Sequence, residues 1–188
     1  MKTTLSKTVL GASLALSAAV FTAPLHAATV VGGAEMLPQR TIVENAIHSS
    51  DHTTLVRAVQ AAGLDETLQA QGPFTVFAPT NAAFEALPGG TVEQLLQPDN
   101  RDNLRGVLTY HVVPGKVTAA DLTQKIVQAG GMTEIETVAG ERLKALMEGG
   151  KVVLEDSKGN RSSVTIADVN QANGVIHVID GVLLPGNA

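Results

Sequence analysis

The sequence has no cysteine, no tryptophan and a single tyrosine among 188 residues. Without cysteine there is no disulfide framework, no thiol nucleophile and no thiolate metal site, so stability must come from packing alone. Aromatics make up 3% of the chain, too few for a stacking platform that reads single-stranded nucleic acid. Lys and Arg number 13 against 18 Asp and Glu. With no basic cluster, this balance gives no broad attraction for nucleic acid or an anionic membrane. The Gly-x-Ser-x-Gly elbow of a serine hydrolase is missing. The paired glycines lack the Lys and Ser/Thr of a phosphate loop. No apolar run reaches the roughly 20 residues that a membrane helix needs.

What is present begins with a leader. Lys2 and Lys7 flank the start of an uncharged, Ala-rich stretch from Val9 to Phe21, and Leu25-His26-Ala27 fits a small-residue cleavage site. A signal peptide is expected over residues 1–27, with Ala28 as the first mature residue and no cysteine there for a lipid anchor. Loss of Lys2 and Lys7, with no acid removed, moves the formal charge from −5 to −7. The expected location is secreted or periplasmic. Residues 28–38, with Gly32-Gly33, read as a flexible mature N-terminus, and 39–186 as one domain large enough to bury a core.

Within that domain, helical signals come first. Thr41 to Ile47 fits a short helix, interrupted at Ser49-Ser50-Asp51. A second helix places Leu55, Val56, Val59 and Ala62 on one face, with Gly63 as its cap. Leu64 to Ala70 adds a turn or two. Phe74 to Ala78 is a buried strand, followed by a helix from Pro79-Thr80-Asn81 to Leu87, with Asn81 read as a cap or turn residue. Thr91 to Gln94 resembles a capping box. Asn100 or Asp102 is expected to cap a helix ending at Leu108. Tyr110 to Val113 reads as a strand, and Thr118 to Asp121 opens one more helix.

From Thr133 short apolar runs alternate with turns. They are Ile135–Val138, Leu143–Met147, Val152–Leu154, Val164–Ile166, Val175–Ile179 and Val182–Leu184. Helices first and strands last is α+β order, with an antiparallel sheet or sandwich and helices to one side.

Three motifs then carry a resemblance. Thr75 to Phe84 reads TVFAPTNAAF, Asn173 to Pro185 reads NGVIHVIDGVLLP, and Tyr110-His111 stands between them. In order and spacing the chain resembles the fasciclin (FAS1) domain over about residues 39 to 186. The resemblance implies an α+β wedge of two β-sheets flanked by short helices. It also implies a non-catalytic role in adhesion or matrix and protein binding, like that of the small single-domain bacterial members. Animal members carry an Asp-Ile pair before the last motif that is linked to integrin recognition. The matching positions here are Asp168 and Val169, and only the position of a contact surface carries over. Asp168, Val169, Tyr110 and His111 are therefore the candidate partner-binding residues, for a protein or matrix partner not yet identified. Asp168 is expected at an exposed strand end.

The remaining candidates for chemistry are weak. His48, Asp51 and His52 are close in sequence, but Ser49-Ser50-Asp51 breaks the helix that would align them, and a metal site needs three or four converging ligands. His111 and His177 each lie in an apolar segment. Each reads as a base or pH switch on one hand and as a core histidine bonded to backbone on the other. Asn160-Arg161-Ser162 fits a glycosylation acceptor but equally a β-turn. The expectation is a monomeric chain without cofactor, metal, nucleic acid or membrane span. The alternative function is a periplasmic carrier with a small apolar or lipidic ligand between sheet and helices.

Overall fold

The structure, a computed structural model, describes residues 28–186, so the leader expected over residues 1–27 lies outside the described residues. The chain opens with strands β1 (Thr29–Val31) and β2 (Ala34–Met36). Helices α1 (Ile42–Ala46), α2 (Thr53–Ala62) and α3 (Asp65–Gln69) precede strand β3 (Phe74–Pro79). Helices α4 (Asn81–Glu85), α5 (Thr91–Leu95) and α6 (Arg101–Tyr110) lead to strand β4 (Val112–Pro114) and helix α7 (Ala119–Gln128). Five strands complete the fold: β5 (Met132–Glu136), β6 (Arg142–Glu148), β7 (Lys151–Glu155), β8 (Arg161–Gln171) and β9 (Gly174–Ile179). This is the α+β order read from the sequence.

Local chemistry sets several helix ends. Thr41 and Glu44 cap α1 reciprocally, and Thr118 and Asp121 do the same for α7, satisfying N–H groups that a first turn leaves without partners. Gly63 ends α2 in the left-handed region at φ 65°. Two expected starts are corrected. Helix α5 begins at Thr91 itself, after Gly90, and the Thr91–Gln94 box does not form. Helix α6 has no side-chain cap from Asn100 and continues past Leu108 to Tyr110. Leu104, Val107, Leu108 and Tyr110 are all buried along it. Burial of that stripe overrides the strand preference of the Tyr-His segment.

Seven strands form one mixed sheet in the order β4-β3-β9-β8-β7-β6-β5. Strands β3 and β9 run parallel, from Phe74 opposite Gly174 to Pro79 opposite Ile179. The other neighbours are antiparallel. The two expected sheets are joined through β8. Its Arg161–Ser163 segment pairs with β7, and its Val164–Gln171 segment pairs with β9. Register shifts between Val164 and Val169 mark a bulge in β8, which bends a strand and increases its twist. Val138 N–H donates to the Val112 carbonyl at 2.7 Å, so the opposite ends of the sheet meet. Val182–Leu184, expected as a strand, is irregular although Val182 and Leu183 are buried. Leu183 N–H donates to His111 Nε2 and Leu184 N–H to Asp156 Oδ2, at 3.0 and 2.9 Å. Side chains here replace a neighbouring strand.

The core lies on both faces of β3 and β9. Val76, Ala78, Ile176 and Val178 pack toward α1, α2 and α6, whereas Phe77 and Ile179 pack with Leu122, Ile126, Leu143 and Leu154. A strand buried on both faces reads as a continuous apolar run, which is why TVFA and VIHVI do not alternate. Gly174 starts β9 where a side chain would collide with the Phe74 carbonyl. The segment 28–38, expected to be flexible, is corrected to an ordered hairpin. Thr29 to Val31 pairs with Ala34 to Met36, Val31 and Met36 are buried in the first cluster, and Gly32 O accepts from Ser50 N–H and Oγ.

Candidate functional site

Asp168 lies inside the β8 bulge, not at an exposed strand end, and is half-buried. Its φ of 57° is the one positive value of a non-glycine among the described residues. Asp tolerates this region better than most residues but still at a cost of about 1 kcal/mol. Two bonds hold it there. Its N–H donates to His177 Nδ1 at 3.3 Å, and its Oδ1 accepts from Ala119 N–H at 2.8 Å, in the first turn of α7. A carboxylate at a helix N-terminus also meets the positive end of the helix dipole. Asn170 Nδ2 donates to the Asp168 carbonyl at 3.1 Å, and Lys116 Nζ donates to Asn170 Oδ1 at 2.7 Å. Lys116 continues into a shallow open cleft of about 400 Å³ along α7 that also carries Asp121 and Lys125.

The other three candidate residues are inside the protein. Val169 is 1% exposed and belongs to the core. Tyr110 is fully buried at the end of α6; its hydroxyl donates to the Arg142 carbonyl at 3.2 Å and lies 3.3 Å from Ser157 Oγ. Burial raises its pKa above the usual phenol value. His111 is 3% exposed. Its Nδ1–H donates to Val107 O at 2.8 Å while Nε2 accepts from Leu183 N–H, a pattern that selects the neutral Nδ1–H tautomer. Burial pushes its pKa down to about 4. These side chains hold α6, β6 and the C-terminal segment together and present no atom to a partner.

His177 is arranged in the same way. Its Nε2–H donates to Val117 O at 2.9 Å, its Nδ1 accepts from Asp168, and its ring stacks on Phe77 at 5.6 Å. His52 is buried with Nδ1 at 2.9 Å from Ser49 Oγ. Burial lowers the pKa of both. Among the described residues no three His, Asp or Glu side chains converge as a metal site. No helix among them is long and apolar enough to cross a membrane.

Two asparagines do more than the sequence reading gave them. Asn81 does not cap its own helix; Thr80 does. Asn81 Oδ1 accepts from Thr54 N–H and Thr53 Oγ1, and its Nδ2 donates to Ser50 O, clamping the start of α4 to the start of α2. Asn173 accepts from Ile42 N–H and donates to the Leu68 and Ala70 carbonyls. It joins the β8–β9 turn to α1 and α3. Asn45 and Gln171 are buried and bonded to each other beside it. The Asn-Gly turn signal was visible in the sequence, but these long-range acceptors were not.

The alternative reading placed a small ligand between sheet and helices but named no residues for it; the structure has a cleft of about 240 Å³ between α1, α2, α3 and strands β3 and β4. Val43, Ile47, Val56, Val59, Leu68 and Val76 form much of its wall, and Gln60, Asp65 and Gln69 are its polar members besides His111. Ile47 stands 52% exposed. Of the residues named, no helix supplies more than three, so no single segment carries a recognisable pattern.

Comparison with known proteins agrees with this architecture. The Fasciclin domain family matches residues 50–185. Protein sll1483 of Synechocystis is 56% identical over 145 residues, covering 77% of this chain and 73% of that protein. Immunogenic protein MPB70 of Mycobacterium bovis is 33% identical over 156 residues, covering 79% and 71%. The solved FAS1 domain pair from the insect cell adhesion molecule Fasciclin I superposes with a TM-score of 0.70 at 20% identity. That superposition covers 79% of this chain and about half of the solved one, 52%. The mixed sheet, the flanking helices and the family match together show that the chain belongs to the fasciclin domain family.

Proposed function

We propose that this protein is an extracytoplasmic, non-catalytic module that holds a protein or matrix partner, and that the partner contacts the surface around the β8 bulge. The observation that carries the reading is Asp168. A non-glycine residue held at positive φ in mid-strand stores strain, and such outliers cluster at functional sites. The exposed groups there are Ala167, Asn170 and Lys116, tied to Asp168 by the Lys116–Asn170–Asp168 hydrogen bonds. Asp168 shapes this surface, and its neighbours make the contact. The Asp168-Val169 position in the family pattern, the leader at residues 1–27 and the cell-adhesion role named for the structural neighbour support the same reading. His111 and His177 support it too, because both ring nitrogens of each are committed to structural bonds.

Capture from envelope and matrix fractions tests it, comparing the native protein with a Lys116→Glu, Asn170→Ala double variant. Contact residues that matter cost more than about 1 kcal/mol on truncation, so capture should fall roughly five-fold or more. The melting temperature should stay unchanged. Equal capture by both proteins would remove the bulge surface from consideration.

A further inference from the structure

We propose that the cleft between α1, α2, α3 and the β3–β4 strands is a binding site for one small amphiphile. Its ligand has an apolar body of about eight to ten carbons and an uncharged, hydrogen-bond-donating head such as an alcohol. Size comes first. A dry apolar cavity of about 150 Å³ takes up benzene, and the cleft is about 240 Å³. Scaling six carbons by that ratio gives about ten. The wall is suited to such a body. Val43, Ile47, Val56, Val59, Leu68 and Val76 supply branched apolar surface from three helices and a central strand. His111 adds no free polar atom, since both ring nitrogens are bonded inside the protein.

The head group follows from the remaining polar members. Asp65 offers a carboxylate, which only accepts, and Gln60 and Gln69 offer amides, which donate and accept. Among the described residues no Lys or Arg lines the cleft. A fatty-acid carboxylate would meet the like charge of half-buried Asp65, with no Lys or Arg among the cleft's lining residues to offset it. A hydroxyl meets an acceptor in Asp65 and partners in the two amides. The cleft therefore selects against free fatty acids of the same length. This site uses none of the bulge residues, so either proposal can fail without the other. It also gives the carrier alternative a defined place and ligand class.

Titration calorimetry of the purified protein with 1-octanol and with octanoate at pH 7 is the test. One octanol should bind per chain, and octanoate should bind at least about ten-fold more weakly. Asp65→Asn should tighten octanoate toward the octanol affinity and leave octanol nearly unchanged. Val56→Trp should fill the cleft and abolish octanol binding. If that variant does not fold, Ile47→Glu, at an exposed position, should weaken octanol by charging the rim. The proposal is overturned if octanol shows no saturable binding or if octanoate binds the native protein as tightly as octanol. Unchanged octanol affinity in a folded Val56→Trp or Ile47→Glu protein overturns it as well.

Discussion

Acidification should unlock the protein at His111 before it reaches the bulk of the carboxylates. The ring is buried, neutral and bonded at both nitrogens, with a pKa lowered from an ordinary 6.5 to about 4. The unfolded ring takes up a proton as pH falls through 6.5, while the folded ring stays neutral until about 4. Its stabilising contribution is thus complete above 6.5, is lost progressively as pH falls, and is gone below about 4. At about 1.4 kcal/mol per pH unit the loss is capped at about 3 kcal/mol, with about 2 kcal/mol of it reached at pH 5. His52 and His177 shift in the same direction and add to the loss, so a variant must isolate the His111 share. His111→Gln retains a donor and an acceptor but does not titrate, and its own packing cost is independent of pH. Urea unfolding at pH 7.5 and 5.0 is the assay. The native protein should lose about 2 kcal/mol more between the two pH values than the variant does. Equal losses in both proteins, or a gain by the native protein on acidification, would refute the argument.

Three further outcomes follow from the same geometry. Asp168→Ala removes the acceptor for Ala119 N–H and should destabilise by about 1–3 kcal/mol in a chemical melt, whereas Asp168→Asn, which keeps an oxygen and tolerates positive φ, should recover most of that. Phe77→Ala, at 1% exposure and stacked on His177, should cost about 3–5 kcal/mol, while Val127→Ala, at 69% exposure, should stay within about 0.5 kcal/mol. Protonation of His177 removes the acceptor for Asp168 N–H, so partner capture at the bulge should weaken below pH 6.5 in step with the His177 ring resonances followed by NMR; capture that is constant down to the unfolding transition would separate the bulge from that histidine.

Local signals carried most of the fold. The Thr41 and Thr118 capping residues, the Gly63 stop and the alternating strands after Thr133 all sit where their chemistry requires. What the sequence hid depends on partners distant along the chain. The parallel pairing of Phe74–Pro79 with Gly174–Ile179 spans four helices and five strands, and alternation within either segment does not reveal its neighbour. The N-terminal hairpin escaped notice because only Val31 and Met36 are buried, too few to form a pattern against Gly32-Gly33. Tyr110 read as a strand residue because its aromatic ring and the following Val112-Val113 favour strands, yet the apolar face of α6 reaches through it.

Asp168 shows the same limit at the candidate site. From sequence, an acid between Ala167 and Val169 near a polar run reads as a strand end. The strand instead continues through Gln171, and an irregularity in register turns Asp168 out of the ladder. No local propensity demands that turn. It is imposed by β8 pairing with β7 at one end and β9 at the other, and it is fixed by one backbone bond to His177 and one side-chain bond to α7. The surface at the bulge is therefore built from the core outward. Phe77 orients His177, His177 holds the Asp168 backbone, and Asp168 positions Asn170 and, through it, Lys116. Under the proposed function, half-buried Asp168 acts by setting the shape that its exposed neighbours present, whereas the bonds of Tyr110 and His111 hold α6, β6 and the C-terminal segment together.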